Sequence, residues 1–217
     1  MPAIFAIVKR IFAINKICFI ITAVFVLCAT SSGETGTALS NGNYTWLAAV
    51  MAPFFTVYYG YAKLICLGAS KRAYYVGSLV SYGLLSLFVS GVNGAIRLFI
   101  DPLNGTQRVV NMMDLCGWMK NGIVAAFFQQ TLFLLLVMIF LHVLLSMQPH
   151  WYGWLVDGIL AAVICVFTPI APLRQILAGF FKLIMFNPNP SLHIGVCLLI
   201  SAALSFAGLA VLKRKSM

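Results

Sequence analysis

The polar side chains that could carry chemistry are few and scattered. The three histidines, His142, His150 and His193, follow no HExxH or other metal-ligand spacing, and no carboxylates cluster beside them. The chain contains neither the GxxxxGK[ST] loop that binds nucleotide phosphates nor the GxSxG turn that presents a serine nucleophile. Its six cysteines form no CxxC pair. This pattern predicts that the chain is not an enzyme and holds no metal or cofactor of its own.

Four polar residues lie within or at the end of apolar segments and could line a pathway: Asp157, Gln129, Gln130 and Tyr58. A carboxylate such as Asp157 is costly at membrane depth unless it is paired or solvated. It could pair with His150 in the preceding loop, face a wet cavity or relay a proton. The two amides and the phenol could line a pathway or form hydrogen bonds between helices. The pattern favours the structural alternative in each case.

The composition indicates the environment in which these polar groups lie. Hydrophobic residues make up 62% of the 217 residues and charged residues 8%, against about 45–50% and about 25% in soluble domains. A chain of this size cannot bury so much apolar surface internally, so lipid must cover it. This excludes a soluble enzyme, a disordered regulator and a nucleic-acid-binding module. The net charge of +10 therefore indicates membrane topology and attraction to anionic lipid.

Six segments are long and apolar enough to cross a bilayer, which takes about 20 residues. Within a single transmembrane domain over 1–217, we predict spans at about 15–32, 45–62, 73–96, 122–147, 151–172 and 191–212. Residues 175–186 are apolar but too short to cross, and prolines flank them. They indicate a re-entrant or interfacial segment between spans five and six. The predicted fold class is an all-α membrane protein.

The start of the chain has the pattern of an interfacial helix over residues 3–14. One helical face carries the apolar residues Ile4, Ile7, Val8, Ile11 and Ile14. Charge comes from Lys9, Arg10 and Lys16, as in helices that lie on a membrane surface. A cleaved signal peptide is the alternative interpretation. Because more basic residues fall on the side of the two termini, we expect both termini to be cytoplasmic.

The connection between the second and third spans is the most informative stretch. This connection covers residues 58–75 and contains the run Leu67-Gly68-Ala69-Ser70-Lys71-Arg72-Ala73-Tyr74-Tyr75. By charge alone, Lys71 and Arg72 are anchors that face the cytoplasm. The order of residues resembles the stretch that links the second and third spans in permeases of type-2 ABC exporters, particularly the small bacterial ones.

This resemblance implies a permease subunit in a bacterial plasma membrane. Two such subunits, identical or related, would form the translocation pathway, and each would dock a separately encoded ABC ATPase that binds ATP and Mg. The interfacial helix and the connection would form the docking surface, with these residues of the connection: Lys63, Gly68, Ser70, Lys71, Arg72 and Tyr74. Because the spans offer no charged binding cavity, we expect an amphipathic peptide or a lipid-like compound as substrate.

Three other classes of protein compete with this hypothesis. An integral membrane immunity or scaffold protein would bind a partner in the bilayer and need no ATPase. An intramembrane enzyme would depend on Asp157 with His142 or His150, which is a thin basis for catalysis. An ion-coupled secondary transporter lacks support because the sequence shows no internal repeat and few ionisable groups within its spans.

Overall fold

Apolar helices form most of the chain. The computed structural model describes residues 2–28, 37–103 and 108–214, and it is 87% helical. The α-helices are α1 Pro2–Ile14, α2 Lys16–Cys28, α3 Trp46–Phe54, α4 Tyr61–Cys66, α5 Lys71–Ala95, α6 Met112–Leu115, α7 Ile123–Met147, α8 Trp151–Phe167, α9 Ala171–Ile184 and α10 Pro190–Arg214. Turns of 3₁₀-helix cover Asn41–Thr45, Asp101–Leu103 and Trp118–Asn121, and π-helical segments cover Phe55–Gly60 and Ile96–Ile100.

Four continuous helices are long and apolar enough to cross a membrane. They are Asn41–Cys66, Lys71–Leu103, Ile123–Met147 and Pro190–Lys213. Two further helix pairs pass the same test only when joined across a bend, α1 with α2 at 50° and α8 with α9 at 119°. The described residues therefore provide between four and six candidate crossings, consistent with an integral membrane protein.

The bend between α1 and α2 is an elbow at Asn15. This side chain is 2% exposed; its Nδ2 donates to the carbonyl of Ile11 at 3.0 Å and to Thr56 Oγ1 at 3.1 Å. The amide thus holds the end of α1 against the Phe55–Gly60 segment. The elbow lies where the sequence places the junction between interfacial helix and first span, although residues 29–32 of that span are outside the described residues.

The α8–α9 pair corrects the boundaries of the predicted fifth span. The helix ends at Phe167 instead of residue 172, because the C-cap Thr168 is followed by Pro169, which has no backbone N–H to continue the helical hydrogen bonds. α9 then starts at Ala171 rather than 175, with Pro172 in its first turn, where the missing N–H is tolerated. Most side chains of both helices are exposed, so the pair stands apart from the packed helices.

Two short strands depart from the all-α prediction. β1 (Thr37–Leu39) pairs in parallel with β2 (Arg108–Val110), and each strand lies in a stretch between two predicted spans. The helix that corresponds to the predicted third span is also longer than 73–96, because it continues through the Ile96–Ile100 segment to Leu103. Much of the stretch between the predicted third and fourth spans, residues 97–121, is therefore helix, turn of helix or strand among the described residues.

The core of the bundle lies around α7. Three alanines of α3, Ala48, Ala49 and Ala52, pack with residues of α5 and α7, and all three are at most 3% exposed. Small side chains let helix backbones approach closely, which is the main source of packing energy for helices in lipid. The α5 and α7 members of this cluster are Tyr82, Leu85, Val89, Leu134, Met138, Ile139 and Val143.

The two ends of the bundle differ in chemistry, and we name them accordingly. At the basic end, Leu212 of α10 belongs to the same buried cluster as Ile7 and Ile11 of α1 and Tyr61 of α4, so the first and last helices both reach this end. This end carries Lys9, Arg10, Lys16, Lys63, Lys71, Arg72 and Lys213. The amide end holds the buried polar residues Ser40, Asn93, Asp101, Asn111, Gln129 and Gln130.

Candidate functional site

A groove at the basic end joins the two elements that the sequence assigns to docking. It has a volume of about 440 Å³ and is lined by Ala6, Ile7 and Arg10 of α1 and by Leu64, Leu67, Gly68 and Ala69 of the connection. The interfacial helix and the connection thus share one surface.

The local geometry of the connection explains its residue order. Gly68 has φ +85°, a left-handed conformation that strains any residue with a Cβ. Its N–H donates to Ile65 O at 2.9 Å and closes α4. Ser70 then caps α5, since its Oγ accepts from the backbone N–H of Ala73 at 3.2 Å. The Gly-Ala-Ser sequence therefore ends one helix and starts the next within a few residues.

Five of the six predicted docking residues are accessible at this end, and Tyr74 is not. Lys63, Gly68, Ser70 and Arg72 are exposed, and Lys71 is partly exposed. Tyr74 is only 1% exposed, and its hydroxyl donates to the carbonyl of Thr56 at 3.0 Å. This corrects the sequence assignment: the side chain of Tyr74 is buried between α5 and the Phe55–Gly60 segment and cannot contact a partner.

Helix α1 is held against α5 by a close contact between Ile7 and Gly77. A Cβ on Gly77 would lie 2.6 Å from Ile7 Cγ2, so only glycine permits this approach without movement. Ile7, Val8 and Ile11 are buried while Lys9 and Arg10 are exposed, as the helical periodicity predicts.

The predicted pathway residue Asp157 pairs with a residue other than His150. Gln148 of the α7–α8 turn donates from Nε2 to Asp157 Oδ2 at 2.6 Å. The ring of His150 instead contacts Tyr152, with centroids 5.0 Å apart. The turn is tight because Gly153 packs on the backbone of Met147. Asp157 is therefore hydrogen-bonded near the basic-end start of α8.

The other predicted pathway residues lie in different places. Gln129 and Gln130 are fully buried at the amide end; Gln130 Oε1 accepts from Asn93 Nδ2 at 3.1 Å and so links α7 to α5. Gln129 Oε1 is 3.4 Å from Asn121 Nδ2. Tyr58 is 55% exposed and faces away from the bundle. The structure does not bring these residues together with Asp157.

The hydrogen-bond network at the amide end is a feature that sequence reasoning missed. Asn111 Nδ2 donates to Ser40 Oγ at 3.0 Å and to Asn93 Oδ1 at 2.9 Å. Ser40 Oγ in turn donates to Asp101 Oδ1 at 2.9 Å. Gly42 packs directly on the Asn93 amide. The available signal was Asn93 itself, an amide within an otherwise apolar span.

The buried histidines are held by aromatic neighbours. His142 Nδ1 is 2.7 Å from the hydroxyl of Tyr82, and the rings of Tyr74 and Tyr75 also pack against it. His193 packs on Trp118, with ring centroids 5.6 Å apart. Among the residues that the structure describes, no group of three or more histidine, cysteine or acidic side chains could hold a metal ion.

Comparison with known proteins adds no family to this description. No family model, no curated protein and no solved structure matches the chain.

Proposed function

We propose that the chain is the membrane-spanning permease subunit of an ATP-driven ABC-type exporter. The groove between α1 and the connection carries the proposal, because it places both predicted docking elements on one exposed surface. The sequence has no nucleotide-binding loop, so a separately encoded ATPase would bind ATP and Mg and supply the energy.

The proposal includes six crossings with both termini in the cytoplasm. Leu212, Ile7 and Ile11 share one buried cluster, which supports an even number of crossings because the first and last helices reach the same end. The concentration of lysine and arginine at the same end favours a cytoplasmic position for it.

α8 starts at the basic end beside Met147. After α9, the carbonyl of Met185 accepts from Trp118 Nε1 at the amide end, at 2.8 Å. The bent pair would thus cross once, with α9 as its re-entrant part.

A second permease subunit, identical or related, would complete the pathway. The interior around α7 is filled by buried side chains, so the pathway would form between two chains. The exposed α8 supplies apolar surface for such a contact, including Leu155 and Ile159, which are more than half exposed. With few charges on these surfaces, the substrate would be an amphipathic peptide or a lipid-like compound.

Thr56 links the docking groove to the spans in this mechanism. Its hydroxyl accepts from Asn15 at the elbow, and its carbonyl accepts from Tyr74 of α5. Thr56 lies in the π-helical segment Phe55–Gly60, and such segments are frequent at functional sites. When the partner ATPase closes on ATP, it would push on α1 and the connection. Thr56 would pass that movement to the second and third spans and so alternate access.

The first test is purification from the native membrane in mild detergent, followed by mass spectrometry. The proposal predicts a stoichiometric P-loop ATPase. Arg72→Glu should weaken its association at least about tenfold, by analogy with charge reversal at protein interfaces. Lys120→Glu at the amide end is the matched control and should have no effect. Recovery of the chain alone, or with partners that bind no nucleotide, would support an immunity or scaffold protein instead.

Gly68 gives a second, steric test of the same surface. Gly68→Trp adds bulk beside the groove but also strains the left-handed backbone, whereas Gly68→Ala adds the strain alone. The proposal predicts that the tryptophan variant loses the ATPase while the alanine variant retains most of it, with both inserted in the membrane. Equal association in the two variants would contradict a docking role for this position.

A cysteine test addresses the orientation. Cys66 is exposed at the basic end. In a Cys28→Ser/Cys165→Ser variant, Cys66 would be the only exposed cysteine among the residues that the structure describes. Cys116 lies on the opposite side, where burial raises the pKa of its thiol to about 12 and suppresses its reaction. A membrane-impermeant maleimide should label Cys66 in inverted vesicles and not in intact cells. The reverse result would contradict a cytoplasmic basic end.

A further inference from the structure

A second cleft at the basic end combines positive charge with an apolar wall. It lies in the angle of the elbow, beside the second span, and has a volume of about 600 Å³. Three cations line it: Arg10 of α1, Lys16 at the start of α2 and Lys63 of α4. All three side chains are exposed. No ion pair joins any of them to a carboxylate in the part of the chain that the structure describes, where the ion pair present is Arg97–Asp114.

The remaining wall of the cleft is suited to hydrocarbon. Ile14 and Ile17 line one side, and Phe55 and Tyr59 line the other. The rings of Phe55 and Tyr59 stack with centroids 5.8 Å apart. Ile17 is 51% exposed and Tyr59 66% exposed, so the apolar wall is open to the surroundings. A ligand that fits must therefore be anionic at one end and apolar at the other.

The position of the cations matches the depth of lipid headgroups. Lys16 is the first residue of α2, and Lys63 lies in the last turn of the Asn41–Cys66 helix. Basic residues at the ends of spans lie at the headgroup level, where they attract anionic lipids. The apolar wall formed by Ile17 and Phe55 continues from these cations into the spanning helices.

We propose that this cleft binds one anionic phospholipid from the leaflet at the basic end. Its phosphate lies among Arg10, Lys16 and Lys63, and an acyl chain follows Ile17 and Tyr59. The cleft is distinct from the docking groove, although Arg10 lines both. The inference needs a membrane around the helices but no ATPase.

Native mass spectrometry of the detergent-purified full chain tests the site directly. The probes are palmitoyl-oleoyl phosphatidylglycerol and the zwitterionic phosphatidylcholine with the same chains. The expected result is one retained phosphatidylglycerol per chain, at least about tenfold over phosphatidylcholine, because each basic residue near an anionic lipid contributes on the order of fivefold. Equal retention of the two lipids would overturn the proposal.

Two charge-matched triple variants locate the site. Arg10→Gln/Lys16→Gln/Lys63→Gln removes one arginine and two lysines from the cleft and should reduce phosphatidylglycerol retention to the phosphatidylcholine level. The control removes one arginine and two lysines from elsewhere at the basic end, as Arg72→Gln/Lys9→Gln/Lys213→Gln, and should retain the lipid. The altered side chains are exposed, so a monodisperse elution profile should persist in both. Equal loss in the two triples would show general charge attraction and overturn the site.

Soluble glycerol 1-phosphate distinguishes a lipid from a free organophosphate. The proposal predicts that a millimolar concentration fails to displace the bound phosphatidylglycerol, because the soluble compound lacks the acyl chain that follows the apolar wall. Displacement would identify a soluble phosphate compound as the ligand and overturn the lipid assignment. No step of this experiment uses the ATPase, so its failure would leave the exporter proposal standing, and the converse also holds.

Discussion

The amide end and the basic end of the bundle are closed by different interactions. At the amide end, side chains of Ser40, Asn93, Asn111 and Gln130 bond to one another across several elements. At the basic end, a buried apolar cluster joins α1, α4, α5 and α10, the side chains of Asn15 and Tyr74 each donate to Thr56, and the cations remain at the surface. Hydrogen bonds within the chain thus link the elements of the first end, where Asp101 Oδ2, Gln129 Nε2 and Gln130 Nε2 are buried without a partner among the described residues, whereas the second end presents cations at its surface.

This difference has a physical basis in the membrane environment. Apolar packing gains little from the hydrophobic effect between helices in lipid, so buried hydrogen bonds specify which helices meet. A buried polar group that loses its partner costs about 1–3 kcal/mol. We therefore expect most substitutions in the hydrogen-bond network of the amide end to destabilise the protein. The basic end depends on shape complementarity, which tolerates adjustment. The predictions below test the contrast by perturbing each end in turn.

The largest effect is expected for Gly42→Val at the amide end. The new Cβ would clash with the Asn93 side-chain oxygen, so the amide must move and lose its present hydrogen bond with Asn111. The expected loss is about 3 kcal/mol in the free energy of unfolding, from overpacking together with an unsatisfied amide. Chemical denaturation in detergent measures it. Gly83→Val on α5 is the control, since a Cβ there meets no atom within 4 Å, and equal losses would refute the contrast.

A smaller loss is expected for Asn111→Ala in the same network. This substitution removes hydrogen bonds to Ser40, to Asn93 and to the backbone N–H of Met113. The expected cost is about 2 kcal/mol, because partner groups are left buried without hydrogen bonds. Asn41→Ala removes a single hydrogen bond, to the carbonyl of Val26, and should cost about half as much. A comparison of the two denaturation curves decides whether the network is stronger than one isolated bond.

At the basic end, Gly77→Ala should cost about 1 kcal/mol, since its new methyl group presses on Cγ2 of the buried, β-branched Ile7 and α1 must shift slightly to accommodate it. The double variant Gly77→Ala/Ile7→Ala removes that methyl group and should recover part of the loss. The coupling free energy from the double-mutant cycle should be about 0.5–1 kcal/mol. Additive losses would mean that α1 does not pack on α5 at this contact.

The smallest effect is expected for the ion pair between Arg97 and Asp114. The two side chains are 30% and 32% exposed, so solvent screens much of their attraction. A double-mutant cycle with Arg97→Gln and Asp114→Asn should give a coupling of at most about 1 kcal/mol that falls with added salt. A larger, salt-independent coupling would mean that this ion pair stabilises the amide end more than its hydrogen-bond network does.

The sequence predicted the long helices well because apolar runs of about 20 residues are a strong and local signal. It also predicted which face of α1 is buried, since the isoleucines repeat at helical spacing. It could not predict β1 and β2, which are three residues each and far apart in the chain. The burial of Tyr74 and the pairing of Asp157 with Gln148 were missed for a related reason. Both depend on which neighbouring element covers a side chain, and periodicity within one helix does not contain that information.

The parallel pairing of β1 with β2 has a consequence for how the protein is made. The hydrogen bond between Ser40 and Asn111 that accompanies it joins residues 71 positions apart. At synthesis rates of about 5–20 residues per second, β1 waits roughly 4–14 s for its partner to emerge. During that interval the two candidate spanning helices Asn41–Cys66 and Lys71–Leu103 are synthesised. Variants of the amide end should therefore lower the yield of inserted protein as well as its equilibrium stability.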